Sequence, residues 1–154
     1  MDNPSLSNRL WAGKNPVRLV VDMDLSLPAN LQLFNREQRT VVFNTVKHEE
    51  EGSILYYQVT EDVSMVHQIL NACYQNNIQS IMVEGGAKLL QSFIDEGLWD
   101  EANIITNEAL FIGKGSPAPI LKNFIFTYGE KIFNDRINYF HHSAFSFHNK
   151  LQQA

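Results

Sequence analysis

Glu84, Gly85 and Gly86 close an apolar run, Ile81 to Val83, and open a stretch with helical spacing. A strand, a Gly-Gly turn and a helix together make an anion-binding construction. Glycines let a ligand approach the backbone, and the unpaired N–H groups and dipole of a helix N-terminus favour phosphate. In open α/β sheets, ligands gather beyond the carboxyl ends of strands, where Glu84 stands. On chemistry alone, residues from Gly85 to Leu89 would touch a phosphate or pyrophosphate, and Glu84 would accept hydrogen bonds from a polar ligand group. The same residues also fit a tight strand-to-helix turn in which Glu84 caps the helix or pairs with an arginine. The spacing is neither GxGxxG nor GxxxxGK[ST], so neither dinucleotide nor P-loop fingerprint decides between the two readings.

Other residue types offer weaker chemistry. Arg9 lies in a polar N-terminal loop; its planar fork of donors suits a phosphate, and it suits an ordinary surface position equally. Asp2 read alone is a chain terminus. Lys47 or His48 could meet the 2′-phosphate of an adenosine, and the Glu49-Glu50-Glu51 run is expected as a solvated turn. Lys88 is expected in solvent. His141 and His142 are adjacent on a strand, point to opposite faces and are read as structural, so no metal site is expected. No nucleophile-base pair is visible, and the catalytic acid is left unassigned.

The elements that must carry these residues follow from periodicity. Strands are expected at Val17 to Met23, Thr40 to Thr45 and Ser53 to Val59. Within Glu61 to Asn77, Val66, Ile69, Leu70, Cys73 and Tyr74 recur at helical spacing, with Asp62 or Ser64 as N-cap and Asn76-Asn77 as the stop. SIMVE, Ser80 to Glu84, reads as a strand covered on both faces. Gly86 to Glu96 is the next helix, with Leu89, Leu90, Phe93 and Ile94 as its stripe and Gly97 at C′. ANIIT, 102 to 106, is a further strand, GKGSPAP a loop, and INYFHHSAFSFH, 137 to 148, an antiparallel hairpin or edge strand. Alternating strands and helices indicate an α/β fold with parallel crossovers, closed by antiparallel strands.

Composition bounds the function. The chain has 154 residues, 44% hydrophobic and 19% charged, which fits one globular domain burying about 70% of its unfolded surface. No apolar run could span a bilayer, and the N-terminus lacks the apolar core of a signal peptide. One cysteine, Cys73, excludes an internal disulfide framework, and a cytoplasmic setting is the simplest reading. The net charge of -5 comes without a Lys/Arg run, which argues against a nucleic-acid surface.

Two stretches carry a resemblance. VEGGAKLLQSFIDEGLWDE, 83 to 101, is similar to the glutamate-glycine-glycine segment in the reductase domain of the bifunctional riboflavin-biosynthesis deaminase-reductases. DNPSLSNRLWAGKNPVRLVVD, 2 to 22, resembles that family's Asp-x-Pro-x-Leu-x-x-Arg stretch and the following strand. The resemblance implies a dihydrofolate-reductase-like fold: a mixed, mostly parallel sheet flanked by helices, with antiparallel C-terminal strands. It implies NADPH-dependent reduction of the ribose of 5-amino-6-(5-phosphoribosylamino)uracil to the ribityl form. By residue, it implies that Glu84, Arg9 and Leu6 contact substrate. It places Asp2 at the cofactor, with Met23 on the adenosine side. Gly85 and Gly86, with Ala87, Lys88, Leu89, Leu90, Gln91 and Ser92, would form the NADPH pyrophosphate turn. It also implies a homodimer and a parent protein fused to a deaminase domain.

The chain departs from that pattern in two ways. The family's first strand, with its Ser-Leu-Asp-Gly-Lys stretch, has no counterpart here, so residues 1–154 are expected to be one reductase domain lacking its start. TNEALFIGKG, 106 to 115, lacks the proline that often follows the strand. With a single cysteine the chain cannot supply Pro-Cys-x-x-Cys, so no deaminase domain is expected within these residues. Two other hypotheses remain: a dihydrofolate-reductase-like enzyme acting on a pterin or other heterocycle, and a catalytically silent nucleotide-binding or dimerisation module.

Overall fold

The computed structural model describes residues 3–10 and 12–144. The chain forms two compact units, Met1–Gln79 and Ser80–Ala154. In the first, β1 (Arg18–Val21), β2 (Thr40–Asn44), β3 (Glu49–Glu51) and β4 (Ile54–Gln58) make a sheet of order β1-β2-β4-β3. The β1/β2 and β2/β4 pairs are parallel, and β3/β4 is antiparallel. β2 is buried at all five residues, as a continuous β-branched and aromatic run in mid-sheet should be. One sheet face carries Phe43 and Tyr57, whose rings are 5.7 Å apart. The Tyr57 hydroxyl reaches Gln75 and Asn71 of α1 (Met65–Gln75), which buries Val66, Ile69, Ala72 and Cys73. Each large apolar side chain buried here is worth about 1.5–3 kcal/mol.

Helix α1 ends as its sequence implies. Asn77 takes φ +55°, and the N–H groups of Asn77 and Ile78 return to the carbonyls of Tyr74 and Cys73. That is the Schellman pattern, with asparagine in the left-handed position. At the other end Ser64 is the N-cap residue, and the Gln68 amide ties the entering loop by bonds to Thr60 and Val63.

The second unit holds α2 (Ala87–Asp95), β5 (Glu101–Asn107), β6 (Phe124–Ile132) and β7 (Asp135–His142). Its sheet has order β5-β7-β6 and is antiparallel throughout. Helix α2 closes on Gly97 at φ +65°, with Gly97 and Leu98 N–H bonded to Ile94 and Phe93. On β6 and β7, Phe124 and Phe126 both pack edge-on against Phe140, while Tyr128 stacks on Tyr139.

The fold class and the antiparallel C-terminal strands agree with the expectation, and three local readings change. Glu49–Glu51 is the outer strand of a hairpin and not a turn. Gly52, at φ +63°, makes the reversal, and the charges are met by Lys47, Arg39 and Arg36. An edge strand dense in charge is stable when cations neutralise it, and it resists pairing with other chains. Ser80 to Glu84 is not a strand. It lies in no regular element, and Met82 is 82% exposed. Apolar composition alone cannot make a strand without a neighbour to take its N–H and C=O groups. Strand β6 was not foreseen, although FIFTYGEKI alternates. Residues 145 to 148 of the expected C-terminal hairpin lie outside the described residues.

Between β5 and β6, Glu108 accepts hydrogen bonds from Lys131 and Arg136. Those bonds, the Lys131 one foremost, hold its carboxyl below the ordinary value of 4.5. A depressed carboxyl stabilises the fold above its unfolded pKa, and that contribution is lost as pH falls through the lower folded-state value. We expect the Glu108 carboxyl resonance to titrate below pH 4.5 in NMR, and to move up towards it in Lys131→Ala.

Candidate functional site

The Gly-Gly turn is real, and its two glycines differ. Gly86 is the N-cap residue of α2, with φ +72° and ψ 108°. Gly85 has no positive φ, and a Cβ built on it would meet nothing within 4 Å. A Cβ at Gly86 would meet only Leu89 Cβ at 4.0 Å, so conformation and not space demands glycine there. The first intrahelical bond runs from Leu90 N–H to the Gly86 carbonyl at 3.1 Å. The N–H groups of Ala87, Lys88 and Leu89 therefore precede the helical ladder, as at any helix start. Glu84, Gly85, Gly86 and Lys88 are exposed, and Leu89 and Leu90 are half-buried.

Further along α2 the expected cofactor residues have other partners. The Gln91 amide donates to Asp95 and to the Ile120 carbonyl, and its oxygen accepts the Ile120 N–H at 2.8 Å. Lys122 reaches Asp95 at 2.7 Å, so this side of the helix anchors the 120–122 segment. Ser92 donates to the Lys88 carbonyl. A rise of about 1.5 Å per residue sets Ser92 roughly 7 Å along the axis from Ala87. The open N–H groups are thus concentrated at Ala87 to Leu89.

The other expected residues belong to the first unit. Leu6 and Arg9 lie on an irregular strap ahead of β1, Leu6 with φ +44° and Arg9 exposed. Asp2 lies outside the described residues. Met23 follows β1, and its carbonyl accepts both the N–H and the hydroxyl of Thr45. Sequence reasoning missed Asp22 beside it. That carboxylate is buried and accepts from Ser26 N–H and hydroxyl and from Leu27 N–H, which shapes the loop beyond β1. An acid directly after an apolar strand, with a serine four residues on, was the available signal.

A cleft of about 270 Å³ in this unit is lined by Asp22, Leu27, Phe34, Arg36, Lys47 and Tyr56, among others. Lys47 sits 3.9 Å above the Tyr56 ring and bonds Glu49 and Glu51 at 2.8 and 2.7 Å. Those hydrogen bonds raise its pKa, first that to Glu49. Its charge is already paired. His48 packs edge-on against Tyr57. His141 faces Glu101 across β5/β7, while His142 packs edge-on against Trp99.

A mixed sheet with parallel strands, a glycine turn at a helix start and a separate antiparallel sheet are the parts of a dihydrofolate-reductase-like domain. Known proteins agree. The family model described as "RibD C-terminal domain" matches residues 1–123, and the chain belongs to that family. It is 29% identical over 124 residues to the 2,5-diamino-6-ribosylamino-4(3H)-pyrimidinone 5′-phosphate reductase of Aquifex aeolicus, covering 75% of this chain and 55% of the relative. With the riboflavin biosynthesis protein RibD of Bacillus amyloliquefaciens it is 33% identical over 129 residues, covering 77% of this chain and 34% of the relative. The chain thus spans between a third and about half the length of these curated relatives. Among solved structures, the deaminase/5-amino-6-(5-phosphoribosylamino)uracil reductase of Thermotoga maritima superposes with TM-score 0.72 at 26% identity, covering 91% of this chain and 41% of that one. The riboflavin biosynthesis reductase Rib7 of Saccharomyces cerevisiae shares the fold, with TM-score 0.63 at 16% identity over 82% of this chain and 69% of that one. Among the described residues, no helix is long and apolar enough to cross a membrane.

The two glycines give a direct check on the turn. Gly86→Ala should cost about 1 kcal/mol in urea unfolding, because alanine must adopt the left-handed region. Gly85→Ala, with open space and no such φ, should be near neutral in the same measurement.

Proposed function

We propose that the chain is the reductase part of a riboflavin-biosynthesis enzyme and reduces the ribose of 5-amino-6-(5-phosphoribosylamino)uracil to the ribityl chain with NADPH. Family membership over residues 1–123 is the observation that carries this reading. The open turn at Glu84-Gly85-Gly86 supports it chemically. The N–H groups of Ala87 to Leu89 suit the pyrophosphate of the cofactor, and the exposed Glu84 carboxylate suits sugar hydroxyls. Arg9 offers a bidentate fork to the substrate phosphate. In this reading Leu6 contacts substrate, Asp2 and Met23 contact the cofactor, and Gln91 and Ser92 continue the cofactor-binding turn. NADPH supplies the hydride when bound, so the protein's own work is to orient sugar and nicotinamide.

The same reading assigns residues 1–154 to one reductase domain. It places the chain in a cytoplasmic, dimeric parent protein that also carries a deaminase domain. Relatives named as bifunctional support that fusion. A pterin-reducing enzyme of the same fold is disfavoured by Arg9, which has no phosphate to meet on such a substrate.

Replacing Glu84 by Gln tests the assignment. The variant should bind the ribosylamino-pyrimidine phosphate at least tenfold more weakly, about 1.4 kcal/mol, with NADPH affinity and thermal stability unchanged. Calorimetric titration of each ligand into wild type and variant measures both arms. Equal substrate affinity in the two proteins would return Glu84 to a purely structural role.

A further inference from the structure

The strap ahead of β1 is neither helix nor strand, yet it is tied at four points to the first unit. Asn3 Oδ1 accepts the Gln32 N–H at 2.8 Å, and Asn8 N–H donates to Asn15 Oδ1 at 2.9 Å. The other two ties come from inside. Arg18 Nε donates to the Ser5 carbonyl at 2.8 Å, and Gln38 Nε2 donates to the Leu6 carbonyl at 2.8 Å. Arg18 is 2% exposed and Gln38 8%.

Neither side chain is an economical choice for its position. Arg18 opens β1 on the sheet face it shares with Val20 and Asp22, and burial lowers its pKa. Its Nη1 reaches Asn35 Oδ1 at 2.8 Å and the Leu33 carbonyl at 3.3 Å. Among the described residues Nη2 has no hydrogen-bond partner, and neither does Gln38 Oε1. A methionine or leucine would fill such volume without desolvating a charge, and apolar replacements of buried charges are often stabilising. Leu6 adds a second cost. At φ +44° it occupies a conformation that costs a non-glycine residue about 1 kcal/mol and persists only where surrounding contacts impose it. The contact on its own carbonyl is Gln38, which also bonds the Pro16 carbonyl at 3.2 Å and so joins the strap to the entry of β1.

We propose that Arg18 and Gln38 are positioning residues for substrate: a buried polar clamp that holds residues 3–9 in one conformation, so that Leu6 and Arg9 are presented in a fixed arrangement. The proposal rests on the reading above in which Leu6 and Arg9 touch substrate. Its physical content is pre-organisation. If only a fraction of molecules hold the strap correctly, apparent affinity falls by that fraction.

Two variants keep the test clear of misfolding. Gln38→Glu keeps shape but removes both N–H donors, and Arg18→Lys keeps charge but removes the fork. Trypsin cleavage after Arg9 reports strap release, cleavage after Arg39 at the start of β2 reports opening of the sheet, and calorimetry reports affinity for the ribosylamino-pyrimidine phosphate. In Gln38→Glu we expect cleavage after Arg9 to quicken and substrate affinity to fall, each about tenfold, with cleavage after Arg39 and the melting temperature as in wild type. Arg18→Lys should move both the same way by less. Unchanged cleavage after Arg9 overturns the clamp, and faster cleavage with unchanged affinity overturns its role towards substrate. A parallel loss at Arg9, Arg39 and melting temperature makes the pair merely structural and also overturns the proposal. The underlying reading fails separately, if Arg9→Ala binds substrate as wild type does. Cleavage then still decides whether the two side chains hold the strap.

Discussion

β2 is closed off on both faces and along both edges, and the first unit is organised by that burial. A strand with no solvent on any side must have its end groups satisfied by the chain itself. Thr40 donates its hydroxyl to the Leu33 carbonyl, which fixes the short 3-10 turn Gln32–Phe34 beneath the sheet. Asn44, fully buried at the other end, accepts from the N–H groups of Val46 and Lys47 and donates to the carbonyls of Val42 and Tyr57. Asp22 and Arg18 do the same work at the two ends of β1. The loops around this sheet are therefore held by buried polar side chains as much as by apolar packing. The strap that carries Leu6 and Arg9 is one of those loops.

The second unit solves a different problem. Its helix begins where the backbone must turn through a left-handed residue, and only glycine does that at Gly86 without strain. The N–H groups of Ala87, Lys88 and Leu89, ahead of the ladder that Leu90 opens, leave a small positive surface that water or an anion can occupy. The helix is then secured further along by Gln91, Asp95 and the Schellman closure at Gly97. Open N–H groups sit at one end, and anchoring side chains sit at the end that is tied down.

Much of this was legible in the sequence, for reasons that differ by element. β1, β2, β4 and both helices follow from β-branched runs and helical stripes that tertiary packing reinforces. The helix stops at Asn77 and Gly97 were legible because left-handed closure restricts residue choice so strongly. Ser80 to Glu84 was misread because hydrophobicity reports what would be buried and says nothing about which strand lies alongside. The Glu49–Glu51 strand was hidden because its stability comes from Lys47, Arg39 and Arg36, cations that periodicity does not count. Arg18, Asp22 and Gln38 were passed over for a related reason. A buried polar residue looks like a surface one until its hydrogen-bond partners are placed. Glu84 and Gly86 stood out from the strand-glycine-helix spacing, whereas Arg9 stood out only through motif context, which no composition or spacing rule would have supplied.

The central claim is that this chain belongs to a hydride-transferring reductase specific for a ribosylamino-pyrimidine phosphate. The most direct measurement supplies NADPH to the longer protein that contains this chain and follows the cofactor's loss of absorbance. 5-Amino-6-(5-phosphoribosylamino)uracil and dihydrofolate are offered as substrates in turn. Oxidation with the first and none with the second is the predicted result. Oxidation with dihydrofolate alone would contradict the account.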